Sequence, residues 1–277
     1  MATTTAISWT DHTFNPHIGC ARVSPGCAHC YAEEFARKRM GLDVWDGKTA
    51  KPRRPISEAT WRNPVKWNHQ AAVDGVHRKV FCASMADVFE DHPVAAASRE
   101  RLFPLIEMTP HLDWQLLTKR PENVMQYVPL SWQMRGLPGN VWMGTSVENQ
   151  HWADVRIPIL LQIPAKVRFL SCEPLLGPLD LSDWLDIYKP IEAYRAGTQD
   201  QIPWSRQSSF HVNRLHWVIA GGESGSKHRV MQSAWAYNLR DQCLTGNVPF
   251  FFKQWGGRTA KSGGDLLDGQ QYHQFPS

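Results

Sequence analysis

Long apolar runs are missing from this 277-residue chain. The longest, Ile157–Ile163 and Leu215–Ala220, fall far short of the roughly 20 residues that span a bilayer, so no membrane segment is expected. A basic region followed by an apolar run is also missing from Met1–Ser8, which argues against a secretory leader. Net charge is small: 30 Lys and Arg against 26 Asp and Glu leave +4, too mild a balance to define a partner. Cysteines number six, three near the N-terminus and three scattered as Cys82, Cys172 and Cys243, unlike a secreted disulfide framework. A reduced, cytoplasmic setting with the clustered three binding metal fits better. Repeats of roughly 20 to 50 residues are lacking, which removes solenoids and propellers. Nucleophile elbow, phosphate-binding glycine loop and His-Glu-x-x-His are all wanting, so a hydrolase is poorly supported.

What is present is core material, 42% hydrophobic residues with 13 Trp. The length allows one large domain or two. Short apolar or β-branched runs end abruptly in polar residues: Lys79–Ser84, Trp114–Thr118, Val141–Ser146, Val167–Ser171, His216–Ala220 and Val248–Lys253. Near-continuous hydrophobicity is the mark of strands buried on both faces of a parallel sheet. Helical spacing fills gaps between them, as at Val94–Met108, where Pro104 is expected to cause a kink, and at Ser233–Leu244. Ala6–Thr10 reads as a first strand leading into a long loop, Asp11–Cys30, after which Tyr31–Met40 reads as helix. With that first strand the pattern predicts an α/β fold, an incomplete barrel of about six or seven mostly parallel strands with helices outside. One body over 1–277 is expected, with irregular excursions at 41–68 and 183–213 and a C-terminal loop or hairpin at 256–277.

Cys20, Cys27 and Cys30 stand in a C-x6-C-x2-C arrangement on a loop that Pro25 and Gly26 can turn. Three thiolates are one short of the four that close a structural zinc or iron-sulfur site. A 4Fe-4S cluster held this way leaves one iron free for a small molecule. Zinc would instead recruit His12, His17 or His29.

Three cysteines after the first strand of an incomplete barrel resemble the radical S-adenosylmethionine superfamily. Cys27-Ala-His-Cys30 matches the second half of its C-x3-C-x2-C pattern, and the longer first gap departs from it. Across nearly its whole length the chain resembles a phage-associated family of three-cysteine proteins. Ser8-Trp-Thr, Asn15-Pro, the cysteine loop, Ser84–Asp87, Leu117–Arg120, Gly144–Glu148, Ser171–Pro174, Gly221–Ser224 and Phe252–Gly256 carry that match. It is distantly similar to spore photoproduct lyase, a member of the radical group that repairs DNA. The resemblance implies a 4Fe-4S cluster on Cys20, Cys27 and Cys30, S-adenosylmethionine on the free iron, and a reductant partner. A 5′-deoxyadenosyl radical then abstracts hydrogen from a substrate, with nucleobase or nucleic-acid modification as one such use.

In a barrel the functional face lies at the carboxyl ends of the strands. Ser84, Asp87, Ser146, Glu148 and Glu173 stand there as candidate cofactor contacts. Lys119, Arg120, Glu223, Lys253 and Gln254 stand there as candidate substrate contacts, their cations suited to phosphate. Capping of the next helix accounts for such residues equally well. The radical family places Gly-Gly-Glu after its second strand, whereas here Gly221-Gly-Glu223 follows the sixth. Its glycines serve either close approach of a ligand or a tight turn. Cys172, beside Glu173, is either a hydrogen-atom donor or a small core residue.

Basic residues gather at Arg37–Arg39, Lys48–Arg54 and Arg62–Lys66, with Trp45, Trp61 and Trp67 interleaved. Cations beside flat rings suit nucleic acid or a nucleotide, and the same residues also make ordinary surface with Trp packed beneath. The competing function is therefore a non-catalytic nucleic-acid-binding protein with a structural zinc or iron-sulfur site.

Overall fold

The computed structural model describes residues 5–46, 51–185, 214–259 and 262–276. Seven strands form its main sheet: β1 (His12–Thr13), β2 (Arg78–Cys82), β3 (Leu112–Thr118), β4 (Val141–Ser146), β5 (Val167–Cys172), β6 (Trp217–Gly221) and β7 (Phe250–Gln254). They lie side by side in chain order and every pairing is parallel. The sheet curls into a half-barrel with helices around it, an α/β incomplete barrel as the periodicity predicts. The surrounding helices include α1 (Tyr31–Met40), α2 (Asn63–Asp74), α3 (Pro93–Glu107), α4 (Gln150–Gln162) and α5 (Ser233–Thr245). No described helix is long and apolar enough to cross a membrane.

Successive side chains of a strand point to opposite faces, and here both faces are dry. Val80, Leu116, Met143, Leu170, Val218 and Phe252 face the helices. Phe81, Trp142, Phe169, Trp217, Ile219 and Phe251 point inward, where Trp9 joins them. Gly144 is essential to this inner layer, because a Cβ there would stand 2.3 Å from the Phe169 ring.

The first strand lies at His12–Thr13, later than expected. Asp11 decides the place: its amide donates to the Lys79 carbonyl (3.1 Å) and its carboxylate accepts from the Lys79 amide (2.7 Å). Trp9, ahead of it, is a plug in the barrel and not part of a strand. Helix α2 occupies part of the stretch expected to be irregular. Pro64 sits in its first turn, where a missing N–H costs nothing, and Gly75 ends it in the left-handed region (φ 68°). Pro104 lies within α3, which continues through it. Most of the excursion expected at 183–213 falls outside the described residues.

The free edge of β7 is covered by the C-terminal segment. The Phe252 amide donates to the Tyr272 carbonyl (2.7 Å) and the Gln274 amide to the Phe250 carbonyl. Just before this, Leu266–Leu267 and Gln270–Gln271 pair antiparallel across Asp268 and Gly269, both with positive φ as a two-residue hairpin turn requires.

Candidate functional site

The inward alternation that builds the core continues past the carboxyl ends of the strands and becomes the wall of a cavity. Ala83 follows Phe81, Lys119 follows Leu117, Ser146 follows Gly144, Ser171 and Glu173 follow Phe169, and Lys253 follows Phe251. The long loop after β1 closes over this wall and contributes Cys20, Cys27 and Cys30 to the same cavity, together with Ser84, Asp87 and Arg120. Trp9 and Phe81 line it as well.

All three cysteines are half-buried and outside any disulfide. Burial pushes the Cys20 thiol up, Asp87 adds to this, and Arg120 opposes it. Burial also raises the Cys30 thiol, opposed by the Glu33 amide at the start of α1, by Lys119 and by the Ala32 amide. Among the described residues no three His, Cys, Asp or Glu side chains are gathered to hold one ion. The histidines that zinc would recruit are engaged elsewhere. His12 stacks on Trp67 at 4.3 Å, His17 is buried with Nδ1 3.1 Å from Ser98 Oγ, and His29 Nδ1 is 3.1 Å from Glu223 Oε2.

Beneath Cys20 lies a buried charge network. Asp87 accepts hydrogen bonds from Thr118 Oγ1 (2.8 Å), the Phe89 amide (3.0 Å), the Lys119 amide (3.1 Å) and Arg120 Nη1 (2.8 Å). Burial alone would raise its carboxyl, but Arg120 and these donors outweigh that and hold it below the usual range. Both oxygens of Asp87 thus accept from donors of the protein itself. Arg120 also approaches Cys20 Sγ (3.7 Å) and donates to the Ala21 carbonyl (2.9 Å). Its guanidinium thus braces the loop that bears Cys20. Glu90 completes the network, accepting from the Ala21 amide (2.8 Å) and from Arg53 at 2.7 and 3.0 Å. Glu90 and Arg53 escaped the sequence analysis, since Arg53 reads as one more surface cation and Glu90 belongs to no strand end.

Lys119 Nζ donates to Ser146 Oγ at 3.1 Å, so the residue expected at the cofactor and the residue expected at the substrate share one place. Lys253 Nζ pairs with Glu173 Oε1 at 2.8 Å across the mouth. Ser84 lines the cavity, its hydroxyl accepting from Asn15 Nδ2 and its carbonyl from the Tyr31 hydroxyl.

The remaining candidates do not line the cavity. Cys172 is fully buried on the helix-facing side of β5, one residue out of phase with Ser171, which places it in the core and off the cavity wall. Gln254 is out of phase with Lys253 for the same reason, and its amide donates to Ser224 Oγ (2.6 Å) and the Gly222 carbonyl. Glu148 is buried, accepting from the Gly26 amide (3.2 Å) and Arg156 Nη1 (3.0 Å). Glu223 accepts from the Arg229 amide (2.8 Å) and Arg229 Nε (2.9 Å) besides meeting His29. Gly222 packs against the segment after β7, a Cβ there standing 1.9 Å from the Trp255 carbonyl oxygen, so its smallness serves the close approach of two backbone segments.

The tryptophans of the basic stretch are packed beneath the surface. Trp45 and Trp61 are buried, and Trp67 is covered by His12 and the core. Trp45 lines the cavity beside Trp9 and Phe81.

Residues 4–276 match the model of the family described as protein of unknown function, DUF5131. The chain belongs to the DUF5131 family. No curated protein matches it. Two solved structures align with this DUF5131 chain, each at 11% identity. One is a cysteine-to-serine mutant of spore photoproduct lyase, with 87% of this chain covered and a TM-score of 0.46. The chain spans 63% of that protein's length. The other is spore photoproduct lyase complexed with dinucleoside spore photoproduct, with 83% of this chain and 71% of that one covered and a TM-score of 0.44.

Proposed function

We propose that this DUF5131 chain is a radical S-adenosylmethionine enzyme whose 4Fe-4S cluster is held by Cys20, Cys27 and Cys30. The observation that carries this reading is the opening of all three thiols onto one cavity at the carboxyl ends of β2 to β7, among strand-end polar residues. The donor set suits a cluster better than a single ion. A structural zinc site closes with a fourth ligand, and His12 and His17 are engaged with Trp67 and Ser98. Three irons of a cluster accept thiolates that stand apart. Such a cluster with S-adenosylmethionine supplies one-electron cleavage of the sulfonium and a hydrogen-abstracting 5′-deoxyadenosyl radical, given a reductant.

The chain's own residues bind and orient. Lys119 and Ser146 form a donor pair for the cofactor carboxylate. Glu173, with Lys253, is the carboxylate left facing the cavity for the ammonium group, because Asp87 is saturated. Trp9 and Phe81 on the wall suit a flat substrate of the nucleotide class.

Anaerobic purification followed by a visible spectrum and iron and sulfide analysis tests the proposal. A brown, iron-bearing protein that releases 5′-deoxyadenosine with S-adenosylmethionine and dithionite is expected, and Cys20→Ala, Cys27→Ala or Cys30→Ala should abolish the release. A colourless zinc protein that gains no cluster on reconstitution overturns it.

A further inference from the structure

Two strand-end carboxylates point away from the cavity and toward the loop that bears Cys27 and Cys30. Glu148, just past β4, is 1% exposed. One of its oxygens accepts from the Gly26 amide and the other from Arg156, whose same Nη1 also donates to the Ser146 carbonyl (2.8 Å). A single guanidinium therefore joins the end of a cavity strand to the residue before Cys27. The lack of a side chain at Gly26 matters here, since a Cβ would stand 3.2 Å from the Glu148 carboxylate.

Glu223, just past β6, grips the loop at two other points. Its Oε2 meets His29 Nδ1, directly before Cys30, and it pairs with Arg229, whose Nη2 donates to the Pro25 carbonyl at 3.1 Å. Within the loop, the Cys27 amide donates to the Ser24 carbonyl and the Ala28 amide to the Pro25 carbonyl, making one tight turn. That turn is thus held on both sides, at Gly26 from β4 and at Pro25 and His29 from β6.

We propose that Glu148 and Glu223 are positioning residues: they hold the Cys27 and Cys30 thiols set toward the cavity before any metal arrives. The assignment rests on these cysteines being cluster ligands. Hydrogen-bonded carboxylates behind the ligands of a metal site are a general means of fixing ligand orientation. What is particular here is that they act through the loop backbone and His29, not through the thiols.

The test is made first on the metal-free chain, by alkylation with iodoacetamide and mass spectrometry of each cysteine. Glu148→Ala should speed modification of Cys27, and Glu223→Ala or Arg229→Ala that of Cys30 and Cys27, about tenfold each, the effect of losing a buried charge-assisted hydrogen bond on local opening. Glu148→Gln, which keeps an acceptor for Gly26 but leaves Arg156 beside a neutral amide, should fall between wild type and Glu148→Ala. The buried Cys82, Cys172 and Cys243 report global unfolding in the same sample and should not change. Unchanged Cys27 and Cys30 rates in the alanine variants, or a rise shared equally by the three buried cysteines, overturn the proposal. Arg229 is partly exposed, so Arg229→Ala keeps the test open where Glu148→Ala fails to fold.

Iron uptake separates this proposal from the one beneath it. Loop-specific exposure together with reduced iron per chain supports both. Loop-specific exposure in a protein whose wild type takes up no iron leaves the positioning role standing and removes the cluster.

Discussion

His29 Nδ1 lies 3.1 Å from Glu223 Oε2, a contact across 194 residues of chain. It joins the middle of the Cys27-Ala-His-Cys30 segment to the Gly-Gly-Glu segment after β6. Two motifs with no sequence relationship to one another are thereby parts of one structure, and Glu223 has a role that its position along the chain does not announce. Arg229 reinforces the contact. Burial alone would raise the Glu223 carboxyl, but the hydrogen bonds from Arg229 and His29 hold it below the usual range.

Asp87→Asn should destabilise the protein by about 3 kcal/mol, because it leaves the Arg120 guanidinium buried beside a neutral amide. Since the folded-state value of Asp87 is depressed, its contribution is present above the unfolded carboxylate range and is lost as pH falls through the folded value. Urea unfolding at neutral pH is the measurement, and a change below about 0.5 kcal/mol would remove Asp87 from the network.

Lys119→Met should weaken S-adenosylmethionine binding at least about tenfold, the usual worth of a charge-assisted hydrogen bond. Lys253→Met should weaken it less, because Lys253 already spends its charge on Glu173. Equilibrium dialysis with the reconstituted protein reads both, and equal affinity for wild type and Lys119→Met contradicts the shared Lys119 and Ser146 subsite.

Gly144→Ala should lower stability by about 1–3 kcal/mol through overpacking against Phe169. Adding Phe169→Leu to the same chain should recover part of that loss. Thermal denaturation of the two variants, monitored by circular dichroism, checks it, and additive losses would show that the two positions are independent.

Stability should begin to fall in mild acid, before most surface carboxylates are titrated. Burial lowers His17 to about 4, and burial with the nearby Arg168 and Arg214 lowers His216 to about 4. Between about 6.5 and 4 the unfolded chain binds these protons and the folded chain does not, so stability falls as pH drops through that window. The buried His17 accounts for up to about 3 kcal/mol. Urea midpoints measured from pH 7 to pH 4 should decline less steeply in His17→Asn, and parallel slopes would exclude His17 as a source.

Much of the scaffold was legible because its strands are dry on both faces. Val141–Ser146 and Tyr31–Met40 have the bounds their sequences predict, the helix ending at Gly41 in the left-handed region (φ 66°). The first strand and α2 were not legible. Asp11 begins β1 by bonding to Lys79, and α2 lies in a Pro-, Arg- and Trp-rich stretch that only its packing on the sheet makes coherent. At the site, position at a strand end was readable and partnership was not. Cys172 and Gln254 failed as site residues on strand phase, and alternation could have excluded both once β5 and β7 were fixed. Asp87, Glu148 and Glu223 differ: each is a strand-end carboxylate, and each is consumed by arginine or backbone donors before any ligand arrives.

By itself the amino-acid order determined the parallel strands, the half-barrel they imply, the cysteine loop after the first of them and the ring of polar residues at their ends. These are local properties, set by hydrophobic period and by spacing. Tertiary structure alone decided which of those polar residues face the cavity and which bind one another, as His29 does Glu223 and Arg120 does Asp87. A carboxylate is spent when donors reach both of its oxygens, as at Asp87, Glu148 and Glu223, and those donors can come from anywhere in the chain.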